Sequence, residues 1–333
     1  MLSVMFTISN LLRFILAAAI AAACAVMLLS PSSCPGGPDQ KELGFRNGTQ
    51  ADRNIGMATA ARKDDDGLAE LLRSAAMENN VIILTFTNEA WTAPGSLLDL
   101  FLESFRIGVN TQPLLKHLVI VAADVKAFER CQRVHPLCHL LLDTGGGGAK
   151  FAADKAYMSP DYLEMMWVRN KFQTRVLELG YTFVFTDVDM VWFRNPLLRI
   201  PVGADIAISC DRYKNGEEPY DLRKEANGGF LYARPNNRTL GFFVDWYEAR
   251  TRYTGLHDQH VFEKVKDELS RRHGAAVQFV DTAYFGGFCE PKMDFRKLCT
   301  FHGNCLKGLG TKMGRLRDVL GEWKQFRNGT HPK

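Results

Sequence analysis

Seven short apolar runs punctuate the chain: VIILTFT (81–87), HLVIVAAD (117–124), CHLLLD (138–143), YTFVFTD (181–187), ADIAISCD (204–211), GGFLYARP (228–235) and AVQFVDT (276–282). Each has the length of one strand and little polar character, the pattern of strands buried on both faces. Between several of them the apolar spacing changes to three and four, in LLDLFLESF (97–105), DYLEMMWVRNKFQTRVLEL (161–179), TLGFFVDWYEAR (239–250) and DQHVFEKVKDEL (258–269). That rhythm belongs to helices with one apolar face. Strands alternating with helices predict an α/β fold, a mostly parallel sheet with helices on both faces. Ligands of such sheets bind beyond the carboxyl ends of the strands.

The amino end does not belong to this pattern. Phe14 to Leu29, FILAAAIAAACAVMLL, carries no charge, and Leu11–Leu12 extend it across Arg13. The expected organisation is a short cytoplasmic tail (1–10), a signal-anchor transmembrane helix (11–29), a stem (30–66) and one folded domain (67–333). A cleaved signal peptide is the alternative, and both readings send the remainder into the secretory pathway. The stem reads as linker because SPSSCPGGPDQ and ARKDDDG offer little to bury.

Two further features agree with that compartment. Asn47-Gly48-Thr49, Asn237-Arg238-Thr239 and Asn328-Gly329-Thr330 are N-glycosylation sequons. Seven of the eight cysteines lie beyond the apolar segment, and an odd number leaves at least one unpaired or intermolecular. No CxxC pair occurs, so disulfides or buried thiols are expected rather than a zinc site. The formal charge of +4 over 333 residues, with no dense Lys/Arg block, argues against a nucleic-acid partner. Gly145–Gly148 lack a following Lys-Ser/Thr and read as a flexible turn rather than a phosphate loop.

The chemistry concentrates in FVFTDVDMVWFRNP (183–196), where Asp187 and Asp189 end a run otherwise fit for a core. A buried carboxylate without a partner is costly, so such residues leave the core or meet a cation. In near-extended chain, residues two apart project to one side about 7 Å apart at Cα, close enough to share a divalent ion. Oxygen ligands suit Mg²⁺ or Mn²⁺, which keep positions open for phosphates. Asp-x-Asp alone is also the composition of a solvated acidic turn. Its position between an aromatic-rich strand and Val191-Trp192-Phe193 gives it weight.

GYTFVFTDVDMVWFRNP resembles the DxD signature of the plant nucleotide-diphospho-sugar transferase family, retaining arabinosyl- and xylosyltransferases of the Golgi with a GT-A-type, Rossmann-like fold. MMWVRNKFQTRVLELGY, NGGFLYARP, HDQHVFEKV and CTFHGNCLKGLGTK follow the family order, so the resemblance spans residues 78–325 or so. It implies a single luminal domain on a Golgi membrane, single-pass type II, with a UDP-sugar donor and a cell-wall polysaccharide or glycoprotein acceptor. It also implies Mn²⁺ (or Mg²⁺) held by Asp187, Asp189 and His302. Imidazole tilts the ion toward Mn²⁺.

For the donor, the resemblance implies Lys307 or Lys312 on the diphosphate, and Arg169 or Lys171 toward the nucleotide. Those last two, being two apart on a helix, cannot both face the site. Asn227, Gly228 and Gly229 open a strand where an amide can grip a sugar hydroxyl and glycine allows close approach. Asp258 and Gln259 are expected near the anomeric carbon, as catalytic residues, although Asp258 also suits a helix N-cap. Thr85 and Asn88 end the first strand, where base and ribose bind. With no evident carboxylate nucleophile, the family implies front-face substitution, resting on positioning and electrostatics. Val188 and Gly303 stand where alanine is frequent; neither change removes a ligand.

Two rivals stay open. TDVDMV also fits the haloacid-dehalogenase phosphatase string, but that motif normally opens its domain and no later paired-aspartate motif follows. A glycan-binding scaffold that kept the fold and lost turnover is the other, because fold alone does not fix function.

Overall fold

The structure, a computed structural model, describes residues 66–141, 149–153, 155, 157–213, 218–291 and 293–330. The expected tail and anchor, and the stem up to residue 65, lie outside the described residues, as do Gly145–Gly148, Cys24, Cys34 and the sequon at Asn47. Among the described residues, no helix is long and apolar enough to cross a membrane.

All seven expected runs become strands of one sheet: β1 (Val81–Thr87), β2 (Leu118–Ala122), β3 (Cys138–Leu140), β4 (Thr182–Thr186), β6 (Ile206–Cys210), β7 (Ala226–Ala233) and β8 (Val277–Phe279). Their order is β3-β2-β1-β4-β7-β6-β8. β7 alone runs against its neighbours β4 and β6; the other pairs are parallel. The reversal matters for the site, because it sets the start of β7 beside the end of β4, with Asp187 N–H donating to Gly229 O at 2.8 Å.

The helices are α1 (66–75), α2 (Glu89–Thr92), α3 (Leu97–Ile107), α4 (Val125–Val134), α5 (Pro160–Glu178), α6 (Asn237–Glu248), α7 (Asp258–His273) and α8 (Leu309–Arg327). Alternate strand residues face opposite layers. Leu84, Phe86, Phe183 and Phe185 pack with Leu72 of α1, Val176 of α5, Phe243 of α6 and Phe262 of α7. Ile83, Ile120 and Val184 pack with Phe101 of α3, Cys131 of α4 and Trp323 of α8. Each such side chain stabilises the fold by about 1.5–3 kcal/mol when fully buried. The mostly parallel sheet with helices on both faces is therefore the expected arrangement. α1, α2, α4 and α8 were not anticipated.

A second sheet was not anticipated either. It joins β5 (Met190–Trp192), β10 (Thr300–His302) and β9 (Phe285–Gly287) in that order. β10 is antiparallel to β5 and parallel to β9. Trp192 locks this small sheet to the large one: its ring stacks on Phe105 at 4.4 Å, and its indole N–H donates to Thr186 Oγ1 at 3.2 Å. Disulfides join Cys131 to Cys138 and Cys289 to Cys305, while Cys210 and Cys299 are buried free thiols.

Candidate active site

β4 ends at Thr186, and the chain turns at once, with Met190 N–H donating to Asp187 O at 3.1 Å. Asp187 and Asp189 thus bracket a tight turn rather than lying along extended chain, which corrects the expected geometry. Asp187 stays with the large sheet and keeps 31% of its side chain exposed, while Asp189 is buried at the threshold of β5. His302, the last residue of β10, pairs in register with Met190, and Gly303 N–H continues the ladder by donating to Asp189 O at 2.9 Å. Pairing of β5 with β10 therefore brings together residues more than a hundred positions apart.

The three side chains converge. His302 Nε2 lies 3.2 Å from Asp189 Oδ1 and 3.6 Å from Asp187 Oδ2. One ligand atom from each residue lies within 4.8 Å of the others. The remaining carboxylate oxygens are held by cations: Arg169 donates to Asp187 Oδ1 at 3.2 Å, and Lys312 to Asp189 Oδ2 at 2.6 Å. Each aspartate thus offers one oxygen to the imidazole side and has the other fixed from behind. Outer partners of this kind orient the ligands of a metal.

The electrostatics follow from that division. Burial raises the Asp187 carboxyl above its ordinary value, Arg169 opposes the rise, and the neighbouring Asp189 adds to it. Burial acts the same way on Asp189, but Lys312 and His302 outweigh it and hold that carboxyl well below the ordinary range. His302 is driven down by burial and up, with net effect upward, by Asp189 and Asp187. Two carboxylates and an imidazole face one point there, where a cation would take the place of the proton that the aspartates favour on His302.

Arg169 also reaches Asp258, donating to its Oδ2 at 2.7 Å. Burial raises the Asp258 carboxyl, yet Arg169 and His257 bring it down to about 2, so it is ionised at neutral pH. The cap of α7 is His257, not Asp258, which lies one residue inside the helix and is free to meet Arg169. Gln259 Oε1 accepts from Gly228 N–H at 2.9 Å, tying the start of α7 to the start of β7. At Gly229 any Cβ would sit 2.2 Å from His302 Cε1, so glycine is required for the imidazole to lie across β7.

The structure separates the paired basic candidates by position. Arg169 is buried in the site and Lys171 is exposed on another face of α5; Lys312 reaches Asp189 and Lys307 is exposed. Two expectations change in character. The Asn88 side chain is occupied, accepting from Trp91 N–H and donating to Phe151 O and Ala153 O at 3.0 and 3.1 Å. The Asn227 amide is turned inward, donating to Asp211 Oδ1 at 2.7 Å and accepting from Gly229 N–H at 2.9 Å. Thr85 is fully buried with its hydroxyl unpartnered, as are the Thr87 hydroxyl and both amide atoms of Asn170.

Residues around the cluster that sequence reasoning missed include Asp211 and His257. Asp211 closes ADIAISCD as Asp187 closes YTFVFTD, so the same strand-end signal was present. A cavity of about 870 Å³ opens elsewhere, at the amino-terminal edge of β1 beside Val81, His117, Tyr232 and Arg234. No titratable cluster of the kind at Asp187 lines it.

The donor set fits a divalent cation. An ion bound at about 2.1 Å with octahedral geometry has neighbouring ligands about 3 Å apart, close to the 3.2 and 3.6 Å between His302 Nε2 and the two carboxylates. Fold and site together give an α/β sheet with an Asp-Asp-His group at its rim that could hold a divalent cation. Residues 113–316 match the family model for nucleotide-diphospho-sugar transferases, and the chain belongs to that family. It is 40% identical over 273 residues to an uncharacterized protein of Arabidopsis thaliana, covering 82% of this chain and 71% of the relative. It is 36% identical over 184 residues to the beta-arabinofuranosyltransferase RAY1 of the same plant, covering 47% of this chain and 33% of that protein. Among solved structures, a glycosyltransferase involved in the glycosylation of the major capsid of PBCV-1 is 10% identical, with TM-score 0.44, over 72% of this chain and 99% of that one.

Proposed function

We propose that this chain transfers a sugar, a pentose such as arabinose or xylose, from a UDP-sugar to a hydroxyl of a cell-wall polysaccharide or glycoprotein, with retention of configuration. One observation carries the reading: Asp187, Asp189 and His302 turn one ligand atom each to a common point, while Arg169 and Lys312 hold the outer carboxylate oxygens. Mn²⁺ is the ion we assign there, on the mixed oxygen and imidazole donors. When bound, it neutralises the charge of the departing diphosphate.

The protein's own groups do the rest. Lys312 adds a point charge on the same rim for the diphosphate. Asp258, kept ionised by Arg169 and His257, supplies a fixed negative charge where positive charge develops at the anomeric carbon. Gln259, tied through its Oε1 to Gly228, leaves its amide nitrogen to donate to a sugar hydroxyl. Because Asp258 is held by the Arg169 guanidinium and the His257 ring, it serves as an electrostatic partner rather than a nucleophile, which accords with front-face substitution. The pentose is inferred from the likeness to the arabinofuranosyltransferase RAY1. We place the domain in the Golgi lumen, anchored by residues 11–29; the exposed Asn237 and Asn328 sequons support that side of the membrane.

The test is a Mn²⁺-dependent hydrolysis assay across a panel of UDP-sugars. UDP release with one or more pentose donors, lost in Asp189→Ala while the circular dichroism spectrum is kept, is the expected result. Phosphate release from monoesters instead would identify a phosphatase, and neither product a scaffold.

A further inference from the structure

His302 ends a strand of only three residues, and strands so short are weakly held by their own ladder. Beyond it, residues 303–308 run without helix or strand to α8, whose Lys312 returns to the site. What fixes the imidazole therefore lies just outside the ladder. Asn304 donates from Nδ2 to Asp211 Oδ1 at 2.9 Å and accepts at Oδ1 from Cys289 N–H at 3.2 Å. Phe288 N–H donates to His302 O at 3.2 Å, and the next residue, Cys289, is cross-linked to Cys305 with 5.2 Å between their Cα atoms. Cys305 adopts φ 57°, the left-handed region that non-glycine residues avoid. A residue holds such a conformation when its surroundings over-determine it. Here the cross-link does so.

We infer that the Cys289–Cys305 disulfide, with Asn304 beside it, is the positioning element for His302, and that opening it weakens cation binding while the large sheet stays folded. This rests on the metal-binding reading above. The second disulfide provides the contrast: Cys131–Cys138 joins α4 to β3, the edge strand of the large sheet, and neither element carries a ligand of the cluster. Access differs as well, since Cys305 is exposed and Cys131 is fully buried. A dithiol reagent would reach the exposed bond first. Its two thiols become one disulfide, and Cys289 and Cys305 each gain one electron and one proton.

The experiment titrates Mn²⁺ alone, followed by the electron paramagnetic resonance of the free ion, into the full-length chain in detergent. Outer partners of metal ligands typically contribute 10- to 100-fold in affinity, so Cys289→Ser/Cys305→Ser should bind Mn²⁺ at least about tenfold more weakly with an unchanged far-ultraviolet circular dichroism spectrum. Cys131→Ser/Cys138→Ser should bind as the wild type does. Asn304→Ala, which keeps both disulfides, should weaken binding several-fold, and it carries the test if the double serine variant does not fold. Binding within about twofold of wild type in both site variants would overturn the inference, as would equal weakening by the two disulfide pairs. Failure of the wild type to bind Mn²⁺ would overturn the metal reading itself, and the inference with it.

Discussion

The two sheets differ in nearly everything that governs folding. The large sheet has strands of up to eight residues, buried on both faces by helices, and most of its neighbours are parallel. The small sheet has three strands of three residues each, drawn from positions near 190, 285 and 300. Aromatic packing fastens it to the helices, as in the stack of Trp192 on Phe105 of α3 and the contact of the adjoining Phe193 with Trp323 of α8 at 4.7 Å. The ligand cluster lies on the seam: Asp187 at the rim of one sheet, His302 at the end of the other, Asp189 in the turn between them. A stable frame thus presents half the site, and a small, separately fastened element supplies the rest.

If both halves bear on one cation, His302→Ala should cost as much as loss of a carboxylate. We expect turnover to fall by at least about a hundredfold, with the midpoint of thermal unfolding lowered far less; an active His302→Ala protein would break the seam account. On the large-sheet side, Arg169→Met leaves two carboxylates without their shared partner. Breaking a buried ion pair from one side costs about 3–5 kcal/mol, so both stability by chemical denaturation and turnover should drop. Arg169→Lys should recover little, because one ammonium lacks the fork that meets Asp187 and Asp258 together.

Gly229→Ala sharpens the comparison, since its Cβ belongs to the large sheet and collides first with the small sheet's histidine. Overpacking of this kind costs about 1–3 kcal/mol, and Mn²⁺ affinity should fall about tenfold as the ring is displaced. Acidification should act through Asp258. Its carboxyl lies at about 2 in the folded protein against an ordinary 3.8, so its contribution to stability is complete above that ordinary value and is lost as pH falls toward 2. Asp258→Asn should flatten the wild-type decline in thermal midpoint over that interval. The smallest effect is expected from Gly303→Ala, whose Cβ would meet Asp189 O and Oδ2 at 3.1 Å, a tight but yielding contact. Turnover within a few-fold of wild type is the expected reading.

The same contrast explains what was legible in the sequence. Every strand of the large sheet announced itself, because burial on both faces demands a continuous apolar run. Asp187 stood out for breaking such a run. The small sheet left no comparable mark: three residues, such as Thr300-Phe301-His302, carry too few positions for a period to show. For that reason His302 came from resemblance to a family motif rather than from pattern. Arg169 could not be separated from Lys171, nor Lys312 from Lys307, until helix facing and the path of residues 303–308 were fixed in space. Asn88 and Asn227 differ again. An amide serves equally for a ligand or for the protein itself: backbone groups engage that of Asn88, and Asp211 with the Gly229 N–H engages that of Asn227.

The most direct test of the seam is anomalous X-ray diffraction at the manganese edge from crystals of the chain grown with Mn²⁺ and UDP. The account predicts one strong peak bonded to Asp187 Oδ2, Asp189 Oδ1 and His302 Nε2, with Arg169 and Lys312 still on the outer oxygens. A peak bound away from these three atoms, or density for UDP with no manganese between it and the aspartates, would contradict it.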